Sequence, residues 1–339
     1  MRILHTADWH LGRIFYNIHL TEDQAFVLEQ FVSLVKDTRP DVVVIAGDVY
    51  DRAVPPPEAV SLLNEVLSQL LLDCRLPVIV IAGNHDSPER LGFADRLLSR
   101  QGLFVVGQYT HATTPIVLED AYGPVYFCPI PYVEPAIVRD RLAVPEVQNH
   151  DEAMRQVLAH ARGQVPAGRR KVAVAHAFTA GGLTSESERL LTVGGAGTVS
   201  ADYFADFSYA ALGHLHRPQK VGGDHIRYAG SLLKYSFAEA DQPKSVTLAE
   251  IDGSGRLKLE FISLSPRRDV RCLRGKLADI LAQPPDRRDD YLMITLTDPR
   301  PIFDAMGKLR AVFPNVLHVE REVLTAGADS LSHTPVDHR

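Results

Sequence analysis

Three times in its first hundred residues the chain repeats one pattern: a short apolar run, a polar loop, and a longer stretch whose apolar residues recur every three or four positions. The runs are Arg2-Ile3-Leu4-His5-Thr6, Asp41-Val42-Val43-Val44-Ile45-Ala46 and Val78-Ile79-Val80-Ile81-Ala82. Short runs rich in β-branched residues read as buried strands. After the first, Thr21-Glu22-Asp23-Gln24 has the spacing of a capping box with acids in the opening turn. Val27, Phe31, Leu34 and Val35 then form one helical face, which Pro40 ends. After the second run, Pro55-Pro56-Pro57 opens a helix with Val60, Leu63, Leu67, Leu70 and Leu71 along its face. Three strand–loop–helix units in succession predict a mainly parallel sheet with helices packed on it.

The rhythm changes beyond residue 100. Short strands at 104–106, 115–118 and 125–127 are separated by turn residues, a helix is expected over 152–161, and Val172-Ala173-Val174-Ala175-His176 is another strand. Gly181-Gly182 and Gly194-Gly195-Ala196-Gly197 read as a flexible connection, after which a strand over 207–212 leads into Gly213-His214-Leu215-His216. Residues 226–264 read as mostly antiparallel strands, so a second sheet packed on the first is the economical architecture. Composition shifts around Leu264-Ser265-Pro266-Arg267-Arg268, which sets a domain over 1–266. Helix at 273–281, strand at 291–297, helix at 301–313 and strand at 316–320 suffice for a small α/β unit over 267–324. Residues 325–339 are polar with little periodicity and are expected to be disordered. The expected fold class is α/β: a two-sheet β-sandwich flanked by helices, followed by a small α/β domain.

Composition places the chain among ordinary globular proteins and removes several classes. Its 339 residues allow a large core plus an accessory unit, and 45% hydrophobic with 23% charged residues is unexceptional. A formal net charge of -6 neither announces nor excludes a nucleic-acid partner, because local patches and bound cations decide that. Cys74, Cys128 and Cys272 have no paired spacing, which argues against a disulfide framework or a cysteine zinc site. The first residues form a strand rather than a signal peptide, and no apolar stretch approaches the roughly 20 residues that span a bilayer. A cytoplasmic protein with no membrane association is expected.

Chemistry gathers at the strand ends. Asp8 and His10, Asp48, Asn84 and His85, His176, and His214 and His216 each fall just past a strand, where open α/β sheets bind ligands. Residues two apart in an extended segment point to the same side, so Asp8-x-His10 and His214-x-His216 can each address one metal. Carboxylate, imidazole and amide oxygen together suit divalent ions such as Mn, Fe or Zn. Taken singly, each residue reads as a turn, a helix cap or a satisfied histidine; taken jointly, at five strand ends, they read as a metal centre.

Asp8-x-His10, Gly47-Asp48-x-x-Asp51, Gly83-Asn84-His85-Asp86, His176 and Gly213-His214-x-His216 match in order the motifs of calcineurin-like metallophosphoesterases. More narrowly, Met1-Arg2-Ile3-Leu4-His5-Thr6-Ala7-Asp8-Trp9-His10-Leu11-Gly12 resembles the opening of the SbcD family, bacterial nuclease subunits related to the double-strand-break repair nuclease. The stretch from Gly222 to Ser231, with Lys234-Tyr235-Ser236-Phe237 after it, is also similar to that family. The resemblance covers about residues 1–265 well and the small following unit loosely.

The resemblance implies a metallophosphoesterase fold with a capping domain and two divalent ions, Mn foremost with Mg or Fe as alternatives. One ion would be held by Asp8, His10, Asp48 and His216, and the second by Asp48, Asn84, His176 and His214, with Asp48 bridging. His85 would be a non-ligand imidazole facing the substrate phosphate, and Asp51 and Asp86 would fix the loops. Two such ions about 3.5–4 Å apart activate water and clamp the oxygens of an in-line displacement. The implied activity is hydrolysis of DNA, as an exonuclease on duplex ends and an endonuclease on single strands and hairpins, in repair, recombination and replication. Arg13, Asn17 and Lys234 lie near motif loops and are candidate DNA contacts. Implied partners are an SbcC-like ABC-type ATPase and a second copy of the chain. In the family the ATPase is gripped by helices after the cap, and here the residues after 324 carry no amphipathic helical pair. A phosphatase or cyclic-nucleotide phosphodiesterase would use the same metal set, but the cap-like unit and the SbcD-like flanks count against it. A non-catalytic scaffold is disfavoured because His85 and all seven ligand positions are filled.

Overall fold

The computed structural model describes residues 1–188, 197–283 and 287–322. They fall into two compact units, Met1–Arg267 and Arg268–Arg339. Most of the glycine run at 194–197 and all of the tail at 325–339 lie outside the described residues.

The first unit holds two six-stranded sheets. In the first sheet, Arg2–Thr6, Val42–Ala46, Val78–Ile81 and Leu103–Val106 run parallel in that spatial order. Ser245–Ile251 pairs antiparallel with Arg2–Thr6, and Leu257–Ser263 with Ser245–Ile251. These two strands correct the expectation that 226–264 lies in the second sheet: the chain returns across the molecule to complete the first. The second sheet is mixed rather than antiparallel. Gly123–Ile130, Arg170–His176, Tyr209–Gly213 and Gly223–Tyr228 are parallel neighbours, with Ile116–Asp120 and Gln219–Val221 antiparallel at the two edges.

Alternation along the strands sorts the core. Ile3, Val42, Val44, Ala46, Ile79 and Ile81 of the first sheet share one buried cluster with Val125, Phe127, Val172, Val174, Tyr209 and Ala211 of the second. Their sequence neighbours on the second sheet, Cys128, Ala173, Ala175, Ala210 and Leu212, pack instead with Val138, Met154, Val157 and Leu158 of the helices Pro135–Leu142 and His150–Gly163. Burial on both faces explains why the central strands read as continuous apolar runs. Each fully buried Val, Leu, Ile or Phe among them contributes roughly 1.5–3 kcal/mol.

Two helices depart from the sequence reading. The helix Thr21–Thr38 has Leu20 at its N-cap with no side-chain cap, and Gln24 turns away from the helix altogether. The helix Pro57–Ser68 buries Ala59, Leu63 and Val66, and leaves Val60 45% exposed. No helix among the described residues is long and apolar enough to cross a membrane.

The second unit is a three-stranded parallel sheet, Val270–Gly275, Tyr291–Leu296 and Val316–Arg321, with the helices Leu277–Leu281 and Ala305–Arg310. Leu273, expected in a helix, lies in the first of these strands, because the segment alternates half-buried and exposed positions and pairs with Tyr291–Leu296. Ile280, Leu292, Ile294, Leu309, Phe313 and Val316 form its own core.

Candidate active site

The motif loops extend the first sheet beyond its strands. Asp8 N donates to Gly47 O at 3.0 Å, His10 N to Asp48 O at 3.0 Å, Leu11 N to Val49 O at 2.9 Å and Asp51 N to Leu11 O at 3.1 Å. This stitching holds Asp8 and His10 beside Asp48. The two-residue spacing predicts an extended backbone behind these side chains, and the structure corrects that. Asp8, His10 and Asp48 have φ of 53°, 47° and 48°, and His214 has φ of 110°. Non-glycine residues held there are strained and concentrate where function requires it. Two motif glycines are set by close approach: a Cβ on Gly83 would lie 2.1 Å from Asp48 Oδ1, and one on Gly47 would lie 2.3 Å from His176 Nδ1.

All seven expected ligand side chains converge. His10 Nε2 and His216 Nε2 face each other at 3.0 Å, and Asn84 Oδ1 lies 3.0 Å from both His176 Nε2 and His214 Nδ1. Asp48 Oδ2 sits between the groups, 3.6 Å from His10 Nε2 and 3.5 Å from His176 Nε2. Donor atoms of Asp8, His10 and His216, and of Asp8, Asp48 and His176, each lie within 4.8 Å of one another. Three of these side chains are also tied to protein through their second polar atom. Asp8 Oδ1 accepts from His214 N at 2.9 Å, Asp48 Oδ1 from His85 N at 2.8 Å, and His176 Nδ1 donates to Ala46 O at 2.9 Å. In the neutral imidazole that a metal ligand requires, that last bond leaves the His176 Nε2 lone pair directed inward.

These residues fit a pair of divalent ions. Asp8 Oδ2 is buried with no hydrogen-bond partner among the described residues, and burial pushes its carboxyl well above the ordinary range. Burial also holds His10 well below 6.5 and His214 at about 3, so both are neutral donors at neutral pH. Burial would lower His176 too, but Asp48 beside it raises it to about 9. Against its own burial, His176 and then His10 hold the Asp48 carboxyl low. With Asp8 pushed towards its protonated form and His176 towards its charged form, the cluster takes up protons where two divalent ions would bring positive charge, and one buried carboxyl oxygen is left for them.

His85 stands apart from the seven. Its Nδ1 lies 2.8 Å from Asp51 O, which assigns the Nδ1–H to that carbonyl. Its ring packs edge-on to His10 at 4.7 Å, and His10, Asp51 and His85 also offer donor atoms within 4.8 Å of one another. Asp51 accepts from Arg13 Nη1 at 2.8 Å. Asp86 accepts from the backbone N–H of Gly83, Val49 and Tyr50 at 2.9–3.1 Å, and burial with Asp48 nearby pushes it up to about 7. Both hold loops in place.

The three candidate DNA contacts have structural occupations. Arg13 pairs with Asp51, donates to Ser187 O at 3.3 Å and lies over the Tyr235 ring at 5.5 Å. Tyr16 and Asn17, at φ of 47° and 68°, are the central residues of the hairpin between Ile14–Phe15 and Ile18–His19, and Asn17 is exposed. Lys234 donates to Ala240 O at 2.6 Å.

Several supporting residues lie outside the metal-ligand motifs. Gln24 Nε2 donates to Trp9 O at 3.2 Å and His10 O at 2.8 Å, while its Oε1 accepts from Gly12 N at 3.1 Å. Tyr235 Oη donates to Trp9 O at 2.5 Å, and its ring stands edge-on to His10 and His216. Ser187, Glu188, Glu239 and Lys244 gather behind His216, and nothing in their local spacing ties them to a motif more than 20 residues away. Of these positions only Tyr235 carries a signal in the sequence, through the resemblance of Lys234-Tyr235-Ser236-Phe237.

Comparison with known proteins matches residues 1–218 to the family of calcineurin-like phosphoesterases. Residues 266–338 match the type 5 capsule protein repressor C-terminal domain. The D component of the nuclease SbcCD from Staphylococcus epidermidis is 32% identical over 338 residues, covering 99% of this chain and 89% of that protein. Among solved structures, a dimetal phosphatase from Danio rerio overlaps with a TM-score of 0.46 at 13% identity, over 78% of this chain and 96% of its own. TT1561 of Thermus thermophilus overlaps with a TM-score of 0.40 at 14% identity, over 77% of this chain and 98% of its own.

Proposed function

The chain belongs to the SbcD family of calcineurin-like phosphoesterases, and from that premise we propose that it is a DNA nuclease hydrolysing phosphodiester bonds with two divalent ions. The observation that carries the reading is the convergence of Asp8, His10, Asp48, Asn84, His176, His214 and His216 from five strand ends, with Asp8 Oδ2 orphaned at the centre. One ion is assigned to Asp8, His10, Asp48 and His216 and the other to Asp48, Asn84, His176 and His214. Manganese is the proposed metal, with Mg and Fe as the alternatives. When bound, the ions supply Lewis acidity at the phosphoryl oxygens and a water of lowered pKa.

The chain's own residues account for the rest. Backbone stitching between the 7–11 and 47–51 loops preorganises Asp8, His10 and Asp48, so little reorganisation accompanies reaction. His85, oriented by the Asp51 carbonyl, presents Nε2 to stabilise or protonate the leaving oxygen. Arg13, Asn17 and Lys234 are proposed to line the approach of the phosphate backbone. The second unit, from residue 268, is proposed as a cap that positions DNA. Substrates are proposed to be duplex ends and hairpins, with an SbcC-like ATPase as partner and repair and recombination in the cytoplasm as the setting. Exposed Val60, Leu72, Phe93 and Leu97 in the N-terminal half support a second copy as a further partner.

End-labelled duplex and hairpin DNA incubated with Mn, Mg or EDTA tests the reading, with small phosphoesters in parallel. Cleavage of DNA that Mn supports and EDTA abolishes is expected. Hydrolysis of small phosphoesters alone would replace the nuclease with a phosphatase or phosphodiesterase.

A further inference from the structure

Behind the metal-facing side of His216 lies a buried polar chain that none of the motifs contains. His216 Nδ1 is 2.6 Å from Ser187 Oγ, and Ser187 Oγ bonds in turn to Glu239 Oε1. Glu239 is fully buried, and its other oxygen accepts from Lys244 Nζ at 2.6 Å. Lys244 Nζ closes the circuit by donating to His216 O at 2.8 Å, while Glu188 Oε1 accepts from His216 N at 2.7 Å.

The directions follow from the donor inventory. An ionised Glu239 only accepts, so Ser187 Oγ–H is donated to it, and Ser187 must then accept from His216 Nδ1–H. That leaves the lone pair of His216 on Nε2, facing His10 Nε2 at 3.0 Å. His176 on the other side of the site has a plainer arrangement: its Nδ1 donates to a backbone carbonyl, Ala46 O, at 2.9 Å, and Asp8 Oδ1, at 4.0 Å, lies beyond hydrogen-bond reach.

We infer that Ser187 and Glu239 are positioning residues that fix the tautomer and raise the basicity of His216, giving the ion on the Asp8–His10–His216 side a tighter hold than its neighbour. The inference rests on the two-ion reading above. Partners that orient a ligating imidazole typically change metal affinity by about 10–100-fold when removed.

The test is Mn binding to the full chain by titration calorimetry, with metal-to-protein ratios measured after dialysis. Wild type is expected to bind two ions in unequal steps. Ser187→Ala should weaken the tighter step by about 10–100-fold and leave the weaker one in place, and Ser187→Thr, which keeps the hydroxyl, should restore it. Thermal unfolding of the metal-free variants separates folding from affinity, since a merely structural role would lower Tm without changing the ratio of the two steps. Equal weakening of both steps, wild-type binding by Ser187→Ala, or no rescue by Ser187→Thr would each overturn the inference. Failure of wild type to bind two ions would instead remove the two-ion reading itself. If Glu239→Gln fails to fold because Lys244 loses its counter-charge, the Ser187 pair still decides the matter.

Discussion

The two sheets bring unlike chemistry to the edge they share. Loops after the first sheet supply both carboxylates and the amide oxygen, Asp8, Asp48 and Asn84, together with His10 and His85. The second supplies imidazoles alone: His176 at the end of its strand, and His214 and His216 in the loop after another. Backbone hydrogen bonds join the Asp8 and Asp48 loops within the first sheet. The second sheet meets them through side chains, with His214 N donating to Asp8 Oδ1 and His176 Nδ1 to Ala46 O. One half is prearranged by a single sheet, whereas the other reaches it only when the sheets pack. Assembly of the site is thereby tied to the core between them.

The largest expected effect probes the one imidazole set apart from the converging seven. His85→Asn should lower the rate of DNA hydrolysis by about 10²–10⁴-fold while retaining both ions. Loss of an ion from this variant would move His85 into the ligand set and break the division drawn above. Next comes the core between the sheets. Phe127 is fully buried there, and Phe127→Ala should cost about 3–5 kcal/mol in urea unfolding. A cost below about 1 kcal/mol would mean that the sheets do not depend on this contact.

The smallest effect sharpens the same boundary. His5, on the first sheet, bonds through Nδ1 to Tyr209 Oη of the second at 2.8 Å, and burial holds its imidazole at about 3 against 6.5 when free. As pH falls below 6.5 the unfolded chain therefore binds a proton that the folded chain does not. Stability is lost from there down towards pH 3, at up to roughly 1.4 kcal/mol per pH unit. In the metal-free protein, His5→Gln should flatten this part of the stability profile relative to wild type. Identical slopes between pH 6.5 and 4.5 would show that His5 does not carry the effect.

The legible parts of the molecule were those encoded over short distances. Ile79-Val80-Ile81-Ala82 followed by Gly83-Asn84-His85-Asp86 declares a strand and its functional loop within eight residues, because β-branched runs and tight glycine turns are local properties. The order of five such loops sufficed for the family. Local reading failed where a residue had two possible partners. Gln24 fits a capping box, yet the loop from Trp9 to Gly12 offers two carbonyls and an N–H that the helix end does not. Leu273 fits a helical face, but a neighbouring strand competes for its backbone.

By itself, then, the sequence determined which side chains stand at the strand ends and which chemistry they carry. Tertiary structure alone decided three further things. It returned Ser245–Ile251 and Leu257–Ser263 to the first sheet, and it aimed Asp8, His10, Asp48 and His214 by left-handed backbone rather than by strand alternation. It also brought Ser187, Glu239 and Lys244 behind His216. The physical reason is common to all three. A strand or turn is favoured by the residues that compose it, whereas a buried charge is tolerated only where distant partners meet it, and packing the two sheets is what makes them meet.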